Sequence, residues 1–388
     1  MKIKKLQFFL SFILGCFGNS LWAQEAVNFN PNTYSINHYF NHISRPADSL
    51  TGRLDLGIHS FNYFRNYEYS NKFHDGYTLY GSQLEANLNY YAHANLLLTI
   101  GVNAQKDFGQ RGFHEILPII KLTYTRKDLS LIFGQIEGNV AQGYIEPLQN
   151  LESKINQPVQ YGTQLKIQKP SYSLDAWISW QKMIYPRDSL KEEILGGILF
   201  EPLIIKQGRH QLSIPLQIIA YHKGGQIDVI KDVPLSTLSN STIGFKYHYL
   251  MPGRIKRLYT ENYGVFFKDF SPQKQLAYKA GTGIYLNAGL QATWGNLQAS
   301  YWHANSYLSI QGMPLFQSYS NTVHNAGYTE KNRELLLLQY SYQKQLLPNF
   351  YLDLRFEPFF DFNNKAKNLQ FNHSVFISYK TNFKLHQK

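Results

Sequence analysis

From about residue 52 onward, polar and apolar residues trade places at every second position. The clearest segment is the last, Leu369–Leu385. One side of it reads Leu369, Phe371, His373, Val375, Ile377, Tyr379, Thr381, Phe383, Leu385. The other reads Gln370, Asn372, Ser374, Phe376, Ser378, Lys380, Asn382, Lys384. A period of two predicts a β-strand with one greasy face and one wet face. Strands of soluble domains run to about five or six residues. Seventeen is long for that, and long enough to cross a bilayer at a tilt, which takes roughly 9–11.

The same grammar repeats along the chain. It predicts strands over Arg53–Tyr63, Tyr80–Tyr90, Leu96–Ala104, Ile116–Tyr124, Leu129–Phe133, Tyr161–Ile167, Tyr172–Gln181 and Ile194–Phe200. Further strands are expected over Leu212–Ala220, Ile243–Tyr249, Ile255–Phe267, Tyr278–Gln291, Leu297–His303, Leu335–Tyr342 and Tyr351–Phe360, before the final one. That makes about sixteen. The connections alternate between short turns (92–95, 126–128, 168–171, 201–209, 251–254, 292–295, 345–349) and mostly longer polar stretches (66–76, 106–113, 137–159, 183–192, 223–239, 268–276, 304–332, 361–368). Short turns on one side and long loops on the other define a transmembrane antiparallel up-and-down β-barrel. A β-sandwich needs fewer long strands, and a propeller would show a repeat of roughly 40–50 residues, which is absent here.

The N-terminus sharpens this picture. Lys2, Lys4 and Lys5 precede an apolar run from Leu6 to Leu14, and Ser20-Leu21-Trp22-Ala23 supplies a cleavage region. Residues 1–23 therefore read as a secretory signal peptide. Ile13-Leu14-Gly15-Cys16 offers a second route, lipidation of Cys16. Residues 24–51 are polar without a period and read as a periplasmic lead-in, and 52–388 as one barrel domain. Cys16 is the only cysteine, so a chain cut after Ala23 has no disulfide and no cysteine metal site.

Composition adds less. The formal charge of +12 falls to +9, 35 basic against 26 acidic residues, once the three leader lysines are removed. The basic residues are scattered, which leaves no nucleic-acid footprint. Mean hydropathy is negative, −0.34. Such a chain still crosses a membrane when only alternate residues meet lipid. The 29 Tyr and 26 Phe suit strands and the interfacial girdles of barrels.

Motifs for chemistry are sparse. No GxSxG, HExxH, P-loop or dinucleotide fingerprint occurs, and no cofactor or metal is expected. The one metal-type histidine spacing, His38 and His42, precedes Pro46 and lacks a nearby carboxylate. Three stretches stand out where a strand meets a long loop: Phe61–Tyr69, Gly134–Leu148 and Tyr221–Asp228. Arg65, Glu68, Glu137, Glu146, His222, Lys223 and Asp228 are the expected lumen or constriction residues. The alternative is that they make only loop-packing hydrogen bonds and charge pairs.

A cleaved signal, about sixteen alternating strands and a C-terminal aromatic strand resemble porin-type outer-membrane barrels of Gram-negative bacteria, in the Tyr/Asn-rich style of Bacteroidota. The resemblance is architectural and carries no diagnostic motif. Such barrels usually end on an aromatic residue, whereas here Lys384-Leu385-His386-Gln387-Lys388 follow Phe383. The resemblance implies an outer-membrane location and contact with membrane lipid and lipopolysaccharide. It also implies insertion by barrel-assembly machinery and passive passage of small hydrophilic solutes. On this reading the protein is a channel and not an enzyme, with 137–159 and 304–332 folded inward to set selectivity. A surface binding or assembly protein anchored by the barrel is the first alternative. A lipid-modifying outer-membrane enzyme is the second.

Overall fold

The computed structural model describes residues 37 and 40–387, apart from 226, 228, 230, 231 and 367. The leader predicted over 1–23, together with Cys16 and His38, lies outside the described residues. Seventeen strands form one antiparallel sheet. They are β1 (Leu54–Glu68), β2 (Thr78–His93), β3 (Leu96–Asp107), β4 (Glu115–Arg126), β5 (Leu129–Gln135), β6 (Tyr161–Gln168), β7 (Tyr172–Lys182), β8 (Glu193–Gln207) and β9 (His210–Ser213). They continue as β10 (Leu216–Lys223), β11 (Ser236–Leu250), β12 (Ile255–Asp269), β13 (Ala280–Ala292), β14 (Gly295–Asn305), β15 (Asn332–Leu347), β16 (Phe350–Asp361) and β17 (Gln370–His386).

The sheet closes on itself, because β1 pairs with β2 on one side and with β17 on the other. β9 and β10 are two halves of one stave, each lying between β8 and β11. The break falls at Ile214-Pro215, where the proline has no N–H for the ladder. The Ile214 N–H donates to Pro202 O, and the Gly244 N–H reaches Pro215 O. The barrel thus has sixteen staves, as the alternation predicts.

Several strands run beyond their predicted ends. β1 continues past Tyr63 to Glu68, and β15 spans Asn332–Leu347 where Leu335–Tyr342 was expected. The reason is physical. Alternation marks only the stretch whose outward residues meet hydrocarbon, while the hydrogen-bond ladder continues past it. Outward positions of β1 above that belt are Asn66 and Glu68.

The predicted faces of the closing strand hold. Gln370, Asn372, Ser374 and Ser378 point inward and are buried. The greasy faces look out. Ile100, Ile120 and Phe133, on the neighbouring strands β3, β4 and β5, are each about two-thirds exposed, as a lipid-facing belt requires.

The lumen is packed. Trp302 stands at its middle, against Tyr285, Tyr307 and Phe316, with ring centroids within 6.1 Å. Its indole N–H donates to Phe316 O at 3.1 Å. Tyr307, Leu315 and Phe316 come from the long connection between β14 and β15, which therefore folds inward and contributes a plug. Leu148 arrives in the same cluster from the connection between β5 and β6. A second cluster joins Phe40, from the segment leading into β1, to Phe61 and Phe376 of the wall. Both loops expected to fold inward do so. The lead-in adds a third inward element that its polar composition hides.

Candidate active site at the outer rim

The seven residues singled out in the sequence do not form one constriction. Arg65 lies inside, donating to Glu357 Oε2 at 3.0 Å, Ser374 Oγ at 3.1 Å and Tyr67 Oη at 2.5 Å. Glu146 lines the same small cavity, about 30 Å³. Burial pushes its carboxyl up to about 7, and Glu357 beside it adds to that, against the pull of Arg65 and Arg355. Glu137 belongs to a different interior site. Burial would raise its pKa, but Lys121, Lys166 and Arg45 outweigh that and hold it well below the usual carboxylate range. Lys121 Nζ and Lys166 Nζ lie 3.3 and 3.1 Å from its oxygens, and Arg45 Nη2 donates at 2.6 Å. Glu68 faces outward and accepts from Asn66 Nδ2. Its parity along β1 is opposite to that of Arg65, so the wall separates the two. Lys223 points inward and pairs with Glu193 at 3.1 Å. Asp228 lies outside the described residues.

His222 is the informative one. On β10, Gln217 and Ile219 are fully buried and face inward, while Ala220 is exposed. By the same period His222 faces out. Its cross-strand neighbour on β11 is Thr237, whose outward partners Ile243 and Phe245 lie in the lipid-facing belt. Nδ1 of His222 lies 2.9 Å from Thr237 Oγ1. Thr237 is held in turn by the next loop, its N–H donating to Ser271 Oγ at 3.0 Å.

His222 borders a cleft of about 500 Å³ at the outer rim, lined with it by Glu192, Gly224, Gly225, Ile227 and Leu235. The Glu192 carbonyl accepts from the Gly224 N–H at 2.9 Å, which ties the two loops together. Gly224 has φ +152°, and a Cβ there would run into Leu235, so glycine is required at the lip. The Glu192 carboxylate accepts from the outward-facing Trp180 indole at 2.9 Å. Around the cleft the loops expose Met183, Tyr185, Ile227, Val229 and Leu235. An imidazole and a glutamate thus border an apolar-lipped cleft on the lipid-facing side of the wall, with the Thr237 hydroxyl holding the imidazole. With Nδ1 donating to Thr237, Nε2 keeps its lone pair for a proton.

Sequence reasoning found His222 but assigned it to the lumen. It missed Glu192 and Thr237, which sit 30 and 15 positions away in either direction, and only the pairing of β10 with β8 and β11 brings them to one rim.

Another imidazole–hydroxyl contact, to a serine, is inside the barrel. His59 Nε2 lies 3.1 Å from Ser378 Oγ, and both residues are buried. The hydrogen-bonded seam of β1 and β17 separates this pair from lipid.

A closed barrel of sixteen staves with a lipid-facing belt is an outer-membrane β-barrel, and this chain sits in that membrane. Comparison with solved structures agrees. The outer-membrane protein OprD from Pseudomonas aeruginosa superposes with a TM-score of 0.53 at 8% identity, covering 89% of this chain and 98% of that one. A second, improved OprD structure from the same organism gives 0.50 at 9% identity, covering 88% and 97%. No curated protein matches the sequence significantly. The lipid A 3'-O-deacylase-type family model matches residues 44–388. The chain belongs to that family.

Membership corrects one expectation. The porin resemblance implied a channel that is not an enzyme, whereas the family over 44–388 is an enzyme family. The motif search looked for nucleophile motifs that are continuous in sequence. The groups at this rim are dispersed over two strands and a loop, and such a site leaves no local signature.

Proposed function

We propose that the protein is an outer-membrane hydrolase that removes an ester-linked acyl chain from lipid A, with His222 as the general base. The observation that carries this reading is the position of the imidazole, facing lipid at the outer rim beside an apolar-lipped cleft. Family membership supplies the substrate class. In the reaction, Nε2 of His222 takes a proton from water as the water oxygen attacks the ester carbonyl. The tetrahedral intermediate collapses, the C–O bond to the sugar breaks, and the imidazolium returns its proton to the leaving alkoxide. Thr237 fixes the ring, and Glu192 places negative charge near the imidazolium. The exposed Met183, Tyr185 and Ile227 would rest against the acyl chains. The test is to incubate purified protein with lipid A in mixed micelles and follow loss of one acyl chain by mass spectrometry. Activity in the wild type and its loss in His222→Gln supports the reading. Unchanged activity in that variant removes His222 from it.

A passive channel is the second reading, favoured by the likeness to the OprD fold and by a stave number that leaves room for an aqueous lumen. The packed interior argues against free flow. Conductance in planar bilayers separates the readings, because steady ohmic steps require a route past Trp302 and its neighbours.

A further inference from the structure

Where the segment leading into β1 and the connection after β5 meet the wall, the lumen holds more positive charge than its carboxylates balance. Arg45, Lys121 and Lys166 surround Glu137, and Lys166 also reaches Asp175 at 3.2 Å. That set is already one cation in excess. Lys154, on the helical turn Ser153–Asn156 of the infolded connection, adds a second. It is 93% buried, and among the described residues it makes no salt bridge. Its stem lies against the Phe61 ring, with Nζ 5.5 Å from the centroid. Lys380 adds a third cation, its Nζ donating to Asn41 O at 3.1 Å. Glu85 is the remaining acid, acting on Lys154 at longer range while its carboxylate accepts from Asn87 Nδ2 at 2.5 Å. The tally is five cations against three carboxylates in a packed interior.

A cavity of about 60 Å³ opens among these groups, bordered by His42, His59, Glu85, Lys154 and Gln160. Gln160 is 95% buried, and neither its amide nitrogen nor its amide oxygen has a hydrogen-bond partner. Buried amide donors and buried ammonium groups are costly without partners, and a lysine ammonium carries three donors and no acceptor.

We propose that this cavity binds a small monoanion, held by the Lys154 ammonium and the Gln160 amide N–H. An anion here balances the excess charge and takes up the donors that the protein leaves over. Glu85 on the same wall sets the charge, since it repels a second negative unit and disfavours dianions. The ligand class is a halide or a singly charged oxyanion. Burial lowers the Lys154 pKa, so the bound anion is also what keeps this ammonium charged. The site is independent of the hydrolytic cleft, because the barrel wall separates the two.

The test uses the full chain, folded in detergent, with bromide or monobasic phosphate as the probe and gluconate as the large-anion control at equal ionic strength. The expected result is a rise of the unfolding midpoint in bromide that sets in near the Kd, with the folding equilibrium constant growing tenfold per tenfold rise in probe well above it. Lys154→Gln should abolish that dependence. Glu85→Gln should tighten it, shifting the onset of the rise to lower probe, and this variant decides the matter if Lys154→Gln does not fold. A response to phosphate without bromide supports an oxyanion site, and a response to both supports a general monoanion site. Crystals grown in bromide should show an anomalous peak beside Lys154 Nζ. Equal midpoints in bromide, phosphate and gluconate, or water alone bridging Lys154 to Glu85, overturn the proposal.

Discussion

Among the described residues, two histidines touch a serine or threonine hydroxyl in nearly the same way, and their surroundings are opposite. His59 meets Ser378 at 3.1 Å, and His222 meets Thr237 at 2.9 Å. Each pair is a cross-strand contact near the junction of neighbouring staves. His59 shares its parity with Phe61 and Arg65, and so faces the lumen. His222 shares its parity with Ala220, and so faces lipid. The first pair is walled in beneath the Phe40–Phe61–Phe376 cluster. The second borders an open cleft at the rim. The lesson is that a reactive pairing acquires a function only through which solvent it faces, and in a β-wall that is decided by one residue of register.

The comparison is broken most sharply by replacing each imidazole. His222→Gln should lower deacylation about 10²- to 10⁴-fold while the protein keeps its heat-modifiable migration. His59→Gln should leave the rate within about twofold of wild type, as a single change remote from the chemistry does. Equal losses in both variants would mean that the lumen takes part in catalysis.

The interior side is next tested at Glu137. Glu137→Gln leaves Arg45 and Lys121 facing no carboxylate, with Lys166 keeping Asp175 alone, and should cost about 3–5 kcal/mol, read from urea unfolding in detergent. The depressed pKa fixes the sign. The stabilisation from this carboxylate is present above the ordinary value of 4.5 and is lost as pH falls below it. Glu146 runs the other way. Its pKa is raised from 4.5 to about 7, so the folded chain holds the proton more tightly, and stability should fall as pH rises through that window. Glu146→Gln should flatten this slope. An unchanged slope would place the titration on another group.

The smallest effect belongs to the ring's anchor. Thr237→Val removes one hydrogen bond of about 1 kcal/mol and should slow deacylation roughly fivefold. A comparable loss in Ser378→Ala would erase the distinction between the two pairs.

Much of this architecture was legible along the chain. Leu369–Leu385 announces its two faces, and the alternation of short and long connections announces the inside and outside of a membrane barrel. Pairing of β17 with both β16 and β1 follows from closure alone. The candidate site was legible only in part. His222 stood out because it lies in a glycine-bearing stretch at a strand end, but Glu192 and Thr237 sit in unremarkable sequence. The lead-in looked featureless, yet it delivers Phe40 to an aromatic cluster and Arg45 to Glu137.

The sequence by itself determined what depends on period and length. Sixteen staves, their tilt-spanning reach and the greasy belt all come from a two-residue alternation read against bilayer thickness. The tertiary structure decided what fills the lumen and which side of the wall each charge occupies. These depend on contacts between residues far apart in the chain, Arg65 with Glu357 across 292 positions and Arg45 with Glu137 across 92. Alternation is blind to such contacts, because it ranks each position by its polarity and not by its partner.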